Sequence, residues 1–384
     1  MSDLVLSVGI ISVDGAKYAQ RRAEQRQTWV GIGHRDSRVF ARFVLRCGTW
    51  RMSEAYPESN YTVSASILQE NATFGDVVCT DVPENAGRLK GPSLIMLAWL
   101  RHALSQRSLR SRFIAVVDDD AYIQLADMLK LIQGLPRKSV SPLSYFGAIH
   151  GWSINHTAFH FRHFGWDGWP GCGPDCGPFP FATGSFIGMS RALARQVVDA
   201  AQPEEESVVR ALPPNHPMFF HDSFLGQAIY RLVQPGRGDT PKIDVYNFDP
   251  WSLDTDGFRV GSRLLLWHNR HKQICRVACL GEYYVDKNRH CGTGTGDFEW
   301  RNYSQGAIDP TRYTMWYPKF QNERVVPTKA SSLEPGQGVL AGEAAKGNAT
   351  CQSLVDLRHP TTIAALDLKK CKACFDQVLL AKQS

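Results

Sequence analysis

The 384-residue sequence lacks a long apolar run, which a membrane-spanning helix or a secretory signal would require. Its apolar N-terminal stretch, residues 4–12, is too short to cross a bilayer and has no basic residues before it. We therefore interpret that stretch as a first strand, and we expect membrane association only through a segment that lies outside this sequence. Internal repeats are also missing.

The sequence also lacks a run of basic residues interleaved with aromatic ones, the pattern typical of a nucleic-acid-binding surface. The net charge is only +6, and the basic clusters at residues 20–26 and 101–112 have no interleaved aromatic side chains. A basic rim of this kind suits a phosphate-bearing substrate better than a nucleic acid. Ten cysteines are present, but no two CxxC pairs recur at zinc-finger spacing, so disulfides are favoured if the chain is secretory.

Asparagine is scarce, yet five of the eleven asparagines lie in N-x-S/T sequons. They are Asn60, Asn71, Asn155, Asn302 and Asn348. Together these sequons favour a glycoprotein in the lumen of the Golgi or the secretory pathway.

What the sequence does contain is an alternation of strand and helix patterns. Apolar strand candidates at residues 4–13, 39–45, 75–79 and 113–123 are separated by helical patterns. This alternation predicts an α/β protein whose first half is a parallel, doubly wound sheet. One large domain is expected over residues 1–325. A linker rich in Gly, Ala and Pro follows over 326–350, and a helical tail with three cysteines over 351–384.

The strand candidate that begins at Phe113 runs directly into Asp118, Asp119 and Asp120. Ligands in open α/β sheets bind outside the carboxyl ends of the strands, where these carboxylates are expected. Three close carboxylates repel one another unless a cation neutralises them, and their oxygen atoms suit Mg²⁺ or Mn²⁺. Taken alone, the triplet is equally well explained as a solvated acidic turn.

Residues 151–182 form a long segment rich in Gly, Pro and aromatic side chains. Loops of this length are usually functional. The aromatic side chains suit either local packing or the stacking of an acceptor sugar, and the sequence leaves both interpretations open.

Several motifs, in order, resemble the β1,3-galactosyltransferase family, also called glycosyltransferase family thirty-one. Arg21–Trp29 is similar to its RRxxxRxTW signature, and the aspartate triplet matches its DDD. The further matching segments are Phe43–Leu45, Glu70 with Phe74–Val78, Trp99, Phe179–Gly184, Ser190, and His221–Ser223 with Gly226. The resemblance covers roughly residues 4–270.

The resemblance implies a GT-A glycosyltransferase fold, a single nucleotide-binding Rossmann-like domain with a mixed sheet. It also implies a UDP-sugar donor and Mn²⁺ or Mg²⁺ as the cofactor. By analogy Asp120 ligates the metal, with His268 as the second ligand and His271 as the substitute. Asp118 and Asp119 face the nucleotide or orient the site. A surface position for His268 is the plainer alternative.

By the same analogy, Arg22 and Arg26 lie near the diphosphate, because the arginine fork matches phosphate oxygens. A solvated helix face is the alternative for this charge run. The chain departs from the family pattern at Pro92-Ser93, where a Lys-Thr pair is usual and Lys90 is the possible substitute. It also has His221 in place of a Glu, and a Cys/Gly/Pro-rich insert with Cys172 and Cys176.

The resulting hypothesis is an inverting transfer of a hexose, galactose favoured, to the hydroxyl of a glycan, glycoprotein or glycolipid, forming a β1,3 linkage. Asp222 is the candidate base, because a sugar hydroxyl must lose its proton as the new bond forms. A helix-capping acid is the alternative for Asp222. Three rival functions are a fringe-like transferase using UDP-N-acetylglucosamine, a non-catalytic glycan binder, and a glycoside hydrolase that uses Asp120 and Asp222.

Overall fold

The computed structural model describes residues 4–46, 65–80, 87–106, 110–135, 142–152, 179–201, 221–233, 242–248, 252–253, 266–268, 298–302 and 311–320. The strands are β1 Leu6–Ile11, β2 Val39–Arg46, β3 Val77–Thr80, β4 Phe113–Asp118, β5 Ala121–Ile123, β6 Ser144–Trp152, β7 Phe179–Ser190, β8 Ile243–Asn247, β9 Ser252–Leu253, β10 Leu266–His268, β11 Phe298–Asn302 and β12 Tyr313–Phe320. The helices are α1 Ala16–Gln27, α2 Trp29–Arg35, α3 Ala65–Phe74, α4 Gly87–Ser105, α5 Leu125–Gln133, α6 Arg191–Ala201 and α7 His221–Leu232.

One mixed sheet forms the centre of the fold, with strand order β11-β12-β8-β6-β7-β4-β1-β2-β3. Strands β3, β2, β1 and β4 are parallel, as predicted for the first half of the chain. Strand β7 runs antiparallel to both of its neighbours, β4 and β6. A second sheet, of order β5-β10-β9, lies beside the main one. The predicted α/β class with a mixed sheet is confirmed.

Two hydrophobic cores cover opposite faces of the main sheet, because alternate strand residues point to opposite sides. Phe113, Ala115 and Val117 of β4 pack in one core with residues of α2 and α5. Ile114 and Val116 pack in the other core with residues of α4, α6 and α7. Strand β4 is therefore buried on both faces, which is why its sequence is a continuous apolar run.

Two predicted elements are interrupted. The strand predicted over 113–123 ends at Asp118, and a turn at Asp119-Asp120 passes the chain to β5 in the second sheet. That prediction was wrong because the backbone of β5 pairs with β10 in the second sheet instead of extending β4 in the main one. The helix predicted over 17–29 ends at Gln27, where the Thr28 hydroxyl donates back to two carbonyl groups of α1.

Helix boundaries elsewhere agree with local chemistry. Ser190 caps helix α6, since its hydroxyl accepts a hydrogen bond from the Leu193 N–H at 3.3 Å. Helix α4 begins at Gly87, five residues before Pro92, which therefore lies inside it. Strands β8, β9, β11 and β12 were not predicted.

Several sequence predictions fall outside the described residues. These are the loop of residues 153–178 with its two cysteines, His271, the linker at 326–350 and the tail at 351–384. The proposed division into domains therefore stays a prediction. Within the described part of the chain, no helix combines the length and the apolar character that a membrane span needs.

Candidate active site at the carboxyl ends of strands β1 and β4

The aspartate triplet lies at the carboxyl edge of the main sheet, as the sequence predicted. Strand β1 pairs with β4 in parallel, with Ile11 opposite Asp118, so the residue after β1 lies beside the triplet. That residue is Ser12, whose hydroxyl donates to Asp119 Oδ2 at 2.7 Å. The adjoining ends of two central parallel strands thus build the floor of the candidate site.

Arg21 supplies a positive charge to the triplet from helix α1. Its Nη1 donates to Asp119 Oδ1 at 2.6 Å and lies 3.6 Å from Asp120 Oδ2. Its guanidinium carbon lies 4.9 Å from the centre of the Tyr18 ring. Burial raises the pKa of Asp119 to about 6, and the charge of Arg21 and the Ser12 hydrogen bond oppose that rise. The sequence pattern predicts no separate role for Arg21; its place in the arginine signature was the available signal.

Arg22 is completely buried, and all three of its guanidinium nitrogens donate to protein acceptors. Nε and Nη2 form a bidentate pair with Glu70 at 2.8 and 2.6 Å. Nη1 donates to the Val13 carbonyl at 2.8 Å and to Ser12 Oγ at 3.1 Å. Arg22 therefore connects helix α3 to the serine that holds the triplet.

Arg26 continues the same cluster one helical turn further along α1. It forms a bidentate pair with Asp76 at 2.8 and 2.7 Å and also contacts Glu70 at 2.7 Å. Its guanidinium group lies over two rings, those of Phe43 and Phe74, at 4.6 and 4.2 Å. Burial lowers the pKa of Arg26, but the hydrogen bonds to its carboxylate partners outweigh burial and raise it overall.

The structure thus places both predicted diphosphate-binding arginines in an ion-pair cluster with Glu70 and Asp76. Their contact with a diphosphate stays a prediction.

A single backbone carbonyl attaches helices α1 and α2 to the chain just after the triplet. Gln25 Nε2 and Trp29 Nε1 both approach the Ala121 carbonyl oxygen, at 3.2 and 3.3 Å. The polar and aromatic residues of the signature therefore fix the turn that carries the carboxylates.

Helix α7 approaches the triplet from the other side. His221, its first residue, places Nε2 3.2 Å from Asp118 Oδ1. This closeness requires a glycine at position 184, because a β-carbon there would overlap Asp118 Oδ2 and lie 3.0 Å from His221 Nε2. His221, the residue that departs from the family pattern, therefore joins the triplet to the helix that carries the candidate base.

Asp222 lies in the first turn of α7, half-buried, and its Oδ1 accepts a hydrogen bond from the Ser223 N–H at 2.7 Å. This contact supports the helix-capping role and leaves the catalytic role compatible with it. Burial raises the pKa of Asp222, and the charge of Asp118 adds to the rise while His221 opposes it. A raised pKa is a property that general bases share.

Tyr145 is completely buried on β6 and lies within electrostatic range of Asp222. Its hydroxyl oxygen accepts a hydrogen bond from the Ala182 N–H at 2.7 Å. Burial raises the pKa of this phenol, and Asp222 raises it further. The phenol therefore stays neutral beneath the candidate base.

The backbone brings His268 next to the triplet, because β10 pairs with β5 and His268 lies opposite Ala121. The side chain of His268 is outside the described part of the structure. Among the described side chains, no group of three or more His, Cys, Asp or Glu residues forms a metal site. The donor chemistry nevertheless fits a divalent cation, since buried Asp120 offers hard oxygen ligands beside an incoming strand that carries a histidine.

Comparisons with known proteins relate part of this chain to one family. The sequence model of the family described as Galactosyltransferase matches residues 20–207, a region that contains the arginine signature and the triplet but neither Asp222 nor His268. No curated protein matches the sequence. A solved structure, galactosyltransferase LgtC in complex with donor and acceptor sugar analogs, is 10% identical with a TM-score of 0.35. That alignment covers 74% of this chain and 95% of LgtC.

The matched region therefore contains one part of the site, the arginine signature and the triplet. The signature of helix α1 and the triplet at the end of β4 are the two parts that the structure joins through Arg21 and Ser12. The predicted family resemblance is confirmed over residues 20–207, the part of the chain that matches the galactosyltransferase family.

Proposed function

We propose that the protein is an inverting, metal-dependent enzyme of the GT-A type. It moves a hexose, galactose favoured, from a UDP-sugar to a sugar hydroxyl and forms a β1,3 linkage. The observation that carries this proposal is the contact of 3.2 Å between His221 Nε2 and Asp118 Oδ1. It supports a site in which the acid of helix α7 and the acidic end of β4 act on the same substrate.

Asp222 is proposed as the general base. A sugar hydroxyl is a weak nucleophile, so a carboxylate must accept its proton while the bond to the anomeric carbon forms. The raised pKa of Asp222 supports this role, because a base works best when its pKa approaches the operating pH. Attack from the face opposite UDP converts an α-linked donor into a β-linked product.

Asp120 and His268 are proposed to hold a divalent cation, Mn²⁺ or Mg²⁺, with Asp118 and Asp119 orienting the nucleotide side of the site. When bound, the cation supplies stabilisation of the negative charge that develops on the leaving UDP. The burial of Asp120 and the register of β10 against β5 support this ligand pair. Arg21, whose Nη1 lies 3.6 Å from Asp120 Oδ2, orients Asp120.

Arg22 and Arg26 are proposed to form part of the wall that receives the diphosphate. Their bonds to Glu70 and Asp76 support a role in shaping that wall. Direct contact with phosphate oxygens is tested by Arg26→Lys, which keeps the charge but loses the fork. A weakened UDP affinity at unchanged melting temperature would support such contact, and an unchanged affinity would oppose it.

The decisive experiment is a screen of purified protein against a panel of UDP-sugars and glycan acceptors with Mn²⁺, reading UDP release. We expect acceptor-stimulated release from UDP-galactose, and product analysis should give a β1,3 linkage. Release from UDP-N-acetylglucosamine alone would replace the donor assignment with the fringe-like one. Glycan binding without any UDP release would identify a non-catalytic binder instead.

The same screen tests the site residues. Asp120→Ala should abolish the Mn²⁺ dependence of UDP binding, and retention of that dependence would contradict the metal assignment. Asp199→Asn is the matched control, because Asp199 is an exposed acid on helix α6. Its activity should equal that of the wild type.

A location in the Golgi or secretory lumen is proposed with this function. The five sequons and the ten cysteines support a glycosylated, disulfide-bonded chain. Expression through a secretory pathway should yield protein whose mass falls on endoglycosidase treatment, and an unchanged mass would contradict the proposal.

A further inference from the structure

Arg21 is a buried cation with an incomplete set of hydrogen bonds. Its side chain is only 4% exposed, yet within the described part of the chain Nε and Nη2 have no hydrogen-bond partner. Burying a guanidinium group in this way is costly unless nearby negative charge repays it. That charge comes from Asp119 at 2.6 Å and Asp120 at 3.6 Å.

We propose that Arg21 is a positioning residue that serves as the resident counter-ion of Asp119 and Asp120. It holds the acidic turn in shape whether or not a divalent cation is bound. Without it, two adjacent carboxylates in a site of low polarity would repel each other and the turn would open. This inference rests on the cation site of the proposed function, which it deepens by separating the roles of the two carboxylates.

Asp119 is fixed from both sides, which makes it the carboxylate that orients Arg21. Its Oδ1 accepts from Arg21 and its Oδ2 accepts from Ser12, at 2.6 and 2.7 Å. Ser12 is in turn held by Arg22, whose fork is bound to Glu70. A continuous chain of contacts thus runs from helix α3 to the turn, and Asp120 lies beyond its end at a longer distance from the guanidinium.

The experiment is a melting-temperature comparison of wild type and Arg21→Met, each measured in EDTA and in Mn²⁺. In EDTA, Arg21→Met should melt roughly 5–10 °C lower, because it leaves buried carboxylates without their counter-charge. Mn²⁺ should restore more of that loss than it adds to the wild type, since the metal then takes over the neutralising role. Equal Mn²⁺ increments in both proteins would overturn the proposal.

Two further variants keep the test decisive if Arg21→Met fails to fold. Arg21→Lys retains the charge and should melt closer to the wild type. The double variant Arg21→Met with Asp119→Asn removes both charges and should melt above the single Arg21→Met variant. If the double variant is no more stable than the single one, Arg21 acts by packing alone and the proposal is wrong.

Arg38→Gln is the matched control, because Arg38 pairs with Asp36 on an exposed surface, where its side chain is 42% accessible. Its melting temperature should change little in either buffer. Electron paramagnetic resonance of free Mn²⁺ reports binding without turnover and should show that the wild type takes up the ion. Failure of the proposed function is read separately, as missing UDP release by the wild type, and does not alter the melting comparison.

Discussion

The two sides of the aspartate triplet are built differently. On the side of helix α1, three arginines meet four carboxylates, and most of their contacts lie between 2.6 and 2.8 Å. On the side of helix α7, one histidine reaches one carboxylate at 3.2 Å, and the Asp118 side chain is 25% exposed. The first side is therefore a cluster of several paired charges, whereas the ion pair described on the second side joins one histidine to one carboxylate.

This contrast distinguishes residues that hold the site in shape from residues that are proposed to take part in the reaction. Paired buried charges are costly to disturb and keep one geometry, which suits residues that orient a site. A carboxylate with a raised pKa and few hydrogen bonds can exchange a proton, which suits a base. Substitutions on the α1 side should therefore change stability, and those on the α7 side should change activity at nearly constant stability.

The largest effect should come from Asp222→Asn. Loss of the base should lower kcat by roughly 100- to 10,000-fold, because the acceptor hydroxyl then has no proton acceptor. UDP binding and the melting temperature should stay near the wild-type values, as measured by calorimetry. Wild-type turnover in this variant would show that Asp222 is not the base, and that the α7 side does not supply the reacting group.

Arg22→Met should have the largest effect on stability. The substitution leaves Glu70 without its fork in a buried cluster and should lower the free energy of unfolding by about 3–5 kcal/mol. Chemical denaturation measures the change. Arg38→Met, which removes an exposed pair, should cost about 0–1 kcal/mol. Equal losses in the two variants would show that the α1 cluster is not a scaffold.

Gly184→Ala should act on the α7 side. The added β-carbon overlaps Asp118 Oδ2, so Asp118 and His221 must move apart. Because small displacements in a site cost much activity, we expect a fall in kcat/KM of roughly tenfold to a hundredfold. Gly134→Ala at the end of α5 is the control, since a β-carbon there makes only an ordinary contact at 3.4 Å. If the kinetics of Gly184→Ala were unchanged, the contact between His221 and Asp118 would not be needed for catalysis.

His221→Gln should have the smallest effect, a displacement of the pH profile. His221 lowers the pKa of Asp222, so its removal should raise that pKa and move the acidic limb of kcat/KM to higher pH. The base is active only when ionised, so the variant should lose most activity on the acidic side and least at alkaline pH. A limb that stays in place would show that His221 does not influence the base.

The sequence predicted the parts of the fold that depend on local pattern. The apolar run of β4 and the alternation of strands and helices follow from burial, so both were identified correctly. The break after Asp118 was missed because it depends on the pairing of β5 with β10, a strand far away in the sequence. The unpredicted strand β8 depends likewise on pairing with β6 and β12.

The candidate site was predictable as a set of residues but not as a set of contacts. Arg22 and Arg26 were expected near a diphosphate because an arginine fork suits phosphate, and the same fork suits a carboxylate equally well. Their pairing with Glu70 and Asp76 therefore could not be chosen from residue type alone. The proximity of His221 to Asp118 depends on the space at Gly184, which a sequence pattern does not reveal.

Because the arginine signature contacts the carbonyl of Ala121, these contacts depend on the number of residues between the triplet and β5. Gln25 and Trp29 contact the backbone oxygen of this residue and not its side chain, so a modest change of side chain at 121 leaves both hydrogen bonds possible. Inserting or deleting one residue between Asp120 and Tyr122 would instead carry the acceptor out of reach of both donors. The donors on helices α1 and α2 thus fix the number of residues between the triplet and β5.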